Sequence, residues 1–195
     1  MPKQWPTWLG LAVGLIALSL GILNGPTLDD GWRLAARWTG RASFPLFIVT
    51  FVASSLATLY PRPWTRALLR ARRWWGLGFA ACFAVHLVAL SIFNWRTGNF
   101  PPAGLVDPGV LAYALLLSMV LTSNHTAQRA MGRRWIWLHR TGMWVFLLIF
   151  GQPGKGLIAA TYTLVSLSAA CLRIAAWWQR RRQDRLPTAA APMEG

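Results

Sequence analysis

Acidic residues are almost missing from this chain. It has five aspartates and glutamates among 195 residues, against twenty lysines and arginines, giving a formal net charge of +15. Charge of either sign is scarce: charged residues make up 13% of the sequence, about half the usual share. Cysteine is scarcer still. Cys82 and Cys171 both fall in apolar runs, without zinc or redox spacing, so no disulfide is expected. No HExxH, CxxC or GxSxG motif and no glycine-rich phosphate loop is present, which removes the usual signatures of soluble hydrolases and nucleotide enzymes. A soluble domain is excluded too, because hydrophobic residues reach 55% and lie in runs approaching the ~20 residues that cross a bilayer.

What is present is arginine, placed in short clusters between those runs. Nucleic-acid binding would explain the net charge but not this placement, which is that of membrane topology signals. Six spans are read: about Trp8 to Asn24, Ser43 to Tyr60, Trp74 to Phe93, Leu105 to Thr122, Trp135 to Gln152 and Gly156 to Trp177. All are expected to be helices, since open sheets and bare loops leave backbone groups unsatisfied in lipid. The fold class is therefore an all-α integral membrane protein, a six-transmembrane-helix bundle. It occupies residues 1–178 as one domain, followed by a basic cytoplasmic tail, 179–195, expected to be disordered. Trp5, Trp8, Trp38, Trp64, Trp74, Trp75, Trp95, Trp135, Trp137, Trp177 and Trp178 fall near span ends, as an interfacial aromatic belt does. Trp144, in mid-span, is expected to face lipid or to pack within the bundle.

Orientation follows from the arginines. The second connection carries Arg62, Arg66, Arg70, Arg72 and Arg73, the fourth Arg129, Arg133 and Arg134, and the tail Arg180, Arg181, Arg182 and Arg185. With six spans these regions share one side, and the positive-inside rule makes it the cytoplasm, with both termini there. The expected location is the cell inner membrane. Lys3 is a weak start for a signal peptide, but the first run is long and lacks an Ala-x-Ala site, so the first span is expected to be retained.

Two of the three histidines lie inside spans, where an imidazole is costly unless something binds it. Haem iron is the best-known occupant of such a position in a helical bundle. His86 sits roughly 18 Å into the third span. Gly78, Cys82 and Ala89 share its helical face and offer a groove for a flat macrocycle, while Phe79 and Phe83 on the same face either line a porphyrin or exclude one. The competing assignment is a histidine hydrogen-bonded to a neighbouring helix. His139 lies roughly 6 Å into the fifth span, with Gly142 on its face to give space and Arg140 beside it as a partner for haem propionates. The plainer alternative is an interfacial His-Arg pair on lipid phosphates. His125 reads as an exposed loop or cap residue. Asp29, Asp30 and Asp107 are loop residues without catalytic surroundings.

The stretches Arg72-Arg73-Trp74-Trp75-Gly76-Leu77-Gly78 with His86-Leu87, Leu121-Thr122-Ser123, and Gly132-Arg133-Arg134-Trp135 with Leu138-His139-Arg140 resemble the ferric-reductase-like transmembrane domain family. Within it the likeness is to the haem-binding membrane subunits of bacterial periplasmic methionine sulfoxide reductase systems, and it covers about residues 35 to 178. The resemblance implies haem b, one or two, held by His86 and His139 as iron ligands, with electrons crossing the membrane to a periplasmic or extracellular acceptor. Relatives often carry a second histidine in the fifth span, and here that position is Gln152. His86 and His139 also differ in depth by roughly 12 Å in ideal helices. One five-coordinate haem, two singly ligated haems, a tilted pairing of both histidines on one iron, and loss of haem all remain open at this point.

The spans leave no room for a flavin or nicotinamide domain, such as full-length ferric reductases and NADPH oxidases carry. The electron donor is accordingly expected to be a separate cytoplasmic reductase, a quinol or a bound flavin. The expected acceptor is a periplasmic redox partner, and the chain is expected to be an electron-transfer subunit rather than a self-contained enzyme. The alternative function is a haem-less scaffold or partner-binding subunit. A transporter is disfavoured by spans without acidic residues and without inverted repeats.

Overall fold

In a computed structural model that describes residues 4–99, 108–152 and 156–183, seven helices follow one another. They are α1 (Trp5–Leu23), α2 (Leu28–Leu59), α3 (Pro63–Thr97), α4 (Pro108–Leu121), α5 (His125–Met131), α6 (Arg133–Phe150) and α7 (Leu157–Gln183). Among the described residues there is no strand, as expected of a chain whose backbone polar groups must be satisfied within each segment in lipid.

The first three helices form a tight unit because α1 carries a stripe of small residues. Its buried positions are Pro6, Gly10, Gly14, Ala17 and Gly21, at three- and four-residue spacing. Such a stripe lets two backbones approach closely, the usual basis of helix association in membranes. Gly10 faces the Gly78 backbone so closely that no Cβ fits between them, and Gly78 in turn abuts the carbonyl of Pro6. One turn along, a Cβ on Gly14 would lie 3.1 Å from the Cα of Cys82.

Helix α2 starts at Leu28 rather than at Ser43. The hydroxyl of Thr27 accepts from the Asp30 backbone N–H at 3.1 Å, and Asp29 and Asp30 sit in the first turn, where their charge complements the helix dipole. The connection expected between Asn24 and Ser43 is thus helical from Leu28 onward. At 32 and 35 residues, α2 and α3 are about 48 and 53 Å long, well beyond a ~30 Å hydrocarbon core. Pro45 lies inside α2 and offers no N–H to the carbonyl of Arg41, four residues back. The Tyr162 hydroxyl of α7 donates to that carbonyl at 3.2 Å, and its ring stacks on Phe44, with centroids 4.2 Å apart.

Past these helices, the Asn124 side chain accepts from the Ala127 N–H at 2.7 Å and starts α5, which turns 104° from the axis of α4. Four helices, α1, α2, α3 and α7, are each long and apolar enough to cross a membrane, and the bent α4–α5 pair brings the number to five. The sequence reading of six spans also included α6, whose 18 residues contain Arg133, Arg134 and Arg140. The core between α2, α3 and α6 is aromatic: Phe47, Phe51, Phe79, Phe83 and Phe146 are all buried.

Candidate functional site

A cavity of about 290 Å³ opens where the start of α3, the end of α4, α5 and the start of α6 converge on α2. His139 lines it, and the surrounding sequence holds the ring in place. Trp135, one turn earlier on α6, stacks on the imidazole with centroids 4.2 Å apart and planes at 29°. The Trp135 indole N–H donates to the Thr122 carbonyl at 2.8 Å. The Thr122 hydroxyl lies 3.1 Å from His139 Nε2. The end of α4 and the start of α6 are thereby stitched together around this one ring.

Successive turns of α6 carry Met143 and Phe146 into the same cavity, while α4 contributes Leu116, Met119 and Val120 and α3 contributes Leu77 and Phe79. These walls are apolar. The polar groups gather at the arginine-rich end: Arg72, Arg73, Asn124, His125 and Gln128. Arg72 donates from Nε to the Thr50 carbonyl at 3.0 Å, which fixes the guanidinium and leaves its other N–H groups to be satisfied. An apolar slot with an imidazole on its wall and two guanidiniums at its rim fits a flat apolar macrocycle carrying two carboxylates. The donor set suits haem iron: an imidazole, with the thioethers of Met119 and Met143 nearby.

His86 is not part of this cavity. It lies seven residues beyond Phe79 on α3, about 10 Å further along the axis. Its Nδ1 is 2.8 Å from the Ala36 carbonyl and 3.3 Å from the Thr39 hydroxyl. A carbonyl only accepts, so Nδ1 carries the proton, and in the neutral ring the lone pair is on Nε2. Space for the ring comes from Gly40, where a Cβ would lie 3.2 Å from Cε1. His86 is thus hydrogen-bonded to a neighbouring helix through Nδ1, and Nε2 is the nitrogen left for any ligand.

The structure separates the remaining candidates. Gly78 faces α1 and Cys82 packs against α1 and α2, so the small-residue face of α3 is filled by helices. Phe79 and Phe83 join Phe146 and Phe150 in one aromatic cluster. Gly142 meets the sulfur of Met119, leaving no room there for a Cβ. Arg140 lines a different recess, with Trp144 and Arg173. His125, read as a loop or cap residue, opens α5 and lines the His139 cavity. Gln152 is exposed just past the end of α6. The sequence reading missed Arg72, Met119 and Met143. For Arg72 and Met143 the signal was helical spacing: Gly76 and Phe79 follow Arg72 at four and seven residues, and Met143 follows His139 at four.

Comparison with known proteins bears on this site. Residues 39–150, more than half of the chain, match the family described as ferric reductase like transmembrane component. The protein-methionine-sulfoxide reductase heme-binding subunit MsrQ of Yersinia pseudotuberculosis serotype O:1b is 32% identical over 153 residues, spanning 75% of this chain and 72% of that protein. The same-named protein of Yersinia pestis strain Pestoides F is 32% identical over 153 residues, with 75% and 71% covered. No solved structure matches the chain.

Proposed function

The chain belongs to the ferric reductase like transmembrane family, and from that premise we propose that it is a b-type haem subunit carrying electrons across the bacterial inner membrane to a periplasmic acceptor. The observation that carries this reading is the cavity in which His139, Arg72 and Arg73 meet over apolar walls. His139 would hold the iron through Nε2, exchanging its contact with Thr122 for the metal. Arg72 and Arg73 would neutralise the propionates, and the apolar walls would exclude water. Haem, when bound, supplies the one-electron chemistry, while the protein sets its orientation and potential.

His86 is the proposed ligand of a second haem, nearer the other face. Its Nδ1–H is fixed by a backbone carbonyl, as the outer nitrogen of a metal-ligating histidine usually is. The lengthwise offset from the His139 cavity supports two separate sites over a shared iron. The proposed topology has six crossings, counting the bent α4–α5 pair and α6, with the arginine-rich ends and both termini in the cytoplasm. The donor would be a cytoplasmic reductase, a quinol or a bound flavin. The name shared by the Yersinia relatives supports a periplasmic methionine sulfoxide reductase as the partner.

One observation favours a second reading, a scaffold that has lost haem. The ring of Phe83 lies beside His86, centroids 5.2 Å apart, and Phe146 and Phe150 pack on Phe83 in turn. A visible spectrum of the detergent-purified protein separates the readings. A Soret band with reducible α and β bands is expected of the haem subunit. A colourless preparation from haem-replete cells would overturn it in favour of the scaffold.

A further inference from the structure

Arg173 is the anomaly of the transmembrane region. It sits in α7, a helix long and apolar enough to span the membrane, and its buried Nη1 has no hydrogen-bond partner. Its guanidinium lies over Phe51, 4.4 Å from the ring centroid, and beside Trp144 at 5.7 Å. Aromatic faces stabilise the cation but accept no in-plane N–H. Among the described residues the carboxylates are Asp29 and Asp30, and these are engaged by Arg96 and Arg33 at the other end of α2. A cation held in this setting without an anion is costly.

Arg173 shares a recess of about 390 Å³ with Arg140, Trp144, Ile174 and Trp177. Arg181 extends over the Trp177 ring at 4.2 Å, adding a third guanidinium at the rim. Neither histidine of the proposed haem sites lines this recess. Toward the membrane centre the same faces are apolar and open: Leu148 lies one turn beyond Trp144, and Leu167 two turns before Ile174, at 68% and 58% exposure. Converging guanidiniums, the interfacial indole of Trp177, the deeper indole of Trp144 and apolar tracks leading inward match an anionic amphiphile. We propose that this recess binds the phosphate of an anionic phospholipid, with Arg173 and Arg140 as its ligands and the acyl chains along Leu148, Leu167 and Ile174. The site does not depend on haem, and the phosphate supplies the counter-anion that the Arg173 guanidinium lacks.

The test uses the full-length detergent-purified protein with phosphatidylglycerol and phosphatidylcholine of identical acyl chains. Bound lipid is counted by native mass spectrometry, and thermal unfolding is followed in parallel. Phosphatidylglycerol should be retained in preference to phosphatidylcholine and should raise the unfolding temperature. Arg140→Gln and Arg173→Gln should each weaken its binding about fivefold, and together they should abolish the preference. Inorganic phosphate at millimolar concentration should neither bind nor stabilise, because it lacks the chains. Equal retention of the two lipids by the wild type, an unchanged preference in the variants, or equal stabilisation by inorganic phosphate would each overturn the proposal. Should Arg173→Gln fail to fold, Arg140→Gln decides alone, since Arg140 is exposed.

Discussion

His86 of α3 donates its Nδ1–H to the carbonyl of Ala36 on α2 across 2.8 Å. That single contact ties the two longest helices together and sets which ring nitrogen keeps a lone pair. If Nε2 is an axial ligand, His86→Ala removes an iron–nitrogen bond. Haem content should then fall or the Soret band shift, with the fold retained because α2 and α3 are also held by the Arg72–Thr50 hydrogen bond and by buried aromatic contacts. An unchanged haem content and spectrum would remove His86 from the site.

The cavity around His139 yields a paired prediction. His139→Ala should remove the haem signal assigned to this site. Thr122→Val should not, since the hydroxyl competes with iron for the same nitrogen. Arg72→Gln should leave haem bound but lower its reduction potential, because a cation beside the propionates favours the reduced, more negative state. Potentiometric titration of the visible spectrum reads all three variants. A Thr122→Val protein that loses haem as His139→Ala does would overturn this, showing that the hydroxyl is needed as well as the imidazole.

Much of the architecture was legible as pattern. Apolar runs, tryptophan limits and arginine clusters mark helices and their ends, because bilayer thickness and interfacial chemistry act on composition directly. Helix extent was not legible. The stretch from Leu28 to Ser43 is polar enough to pass for a loop, yet Thr27 caps it and Asp29 and Asp30 favour its start. The site was half visible. His139 and His86 stand out as imidazoles in apolar runs, but which neighbours of His86 face a cofactor depends on what else claims that face. Gly78 looked like space for a macrocycle and is instead the contact for Pro6 and Gly10. Small residues report close approach, and sequence alone does not say whether a helix or a ligand approaches.

That close approach can be measured. A Cβ on Gly10 would collide with the backbone of Gly78, whereas one on Gly76 would meet only Thr50 Cγ2, at 3.5 Å. Gly10→Ala should therefore destabilise the protein by about 1–3 kcal/mol, the usual cost of overpacking, and Gly76→Ala should be tolerated. Thermal unfolding in one detergent compares them. Equal stability of the two variants would show that α1 is not clamped on α3.

Topology is testable without cofactor. The arginine-rich starts of α3 and α6 and end of α7 predict a cytoplasmic C-terminus. A C-terminal green fluorescent protein fusion should fluoresce, and an alkaline phosphatase fusion at the same point should be inactive. High phosphatase activity would mean that the number of crossings is odd, with α6 or the bent α4–α5 pair the first to be reconsidered.

The last prediction concerns Gln152, at the position where relatives often place a histidine. The offset between His86 and the His139 cavity leaves a haem on His86 without an imidazole on its opposite side. Phe150, near the end of α6, has its ring 6.2 Å from that of Phe83, and Phe83 lies beside His86, so the chain just past α6 comes near the His86 level. An amide is a poor ligand for haem iron. The wild type should accordingly show a high-spin component and bind carbon monoxide when reduced. Gln152→His should supply the second imidazole, convert that component to low spin and suppress carbon monoxide binding. A wild-type protein that is fully low-spin and indifferent to carbon monoxide would sink the open-site idea and point to a second ligand already in place on His86.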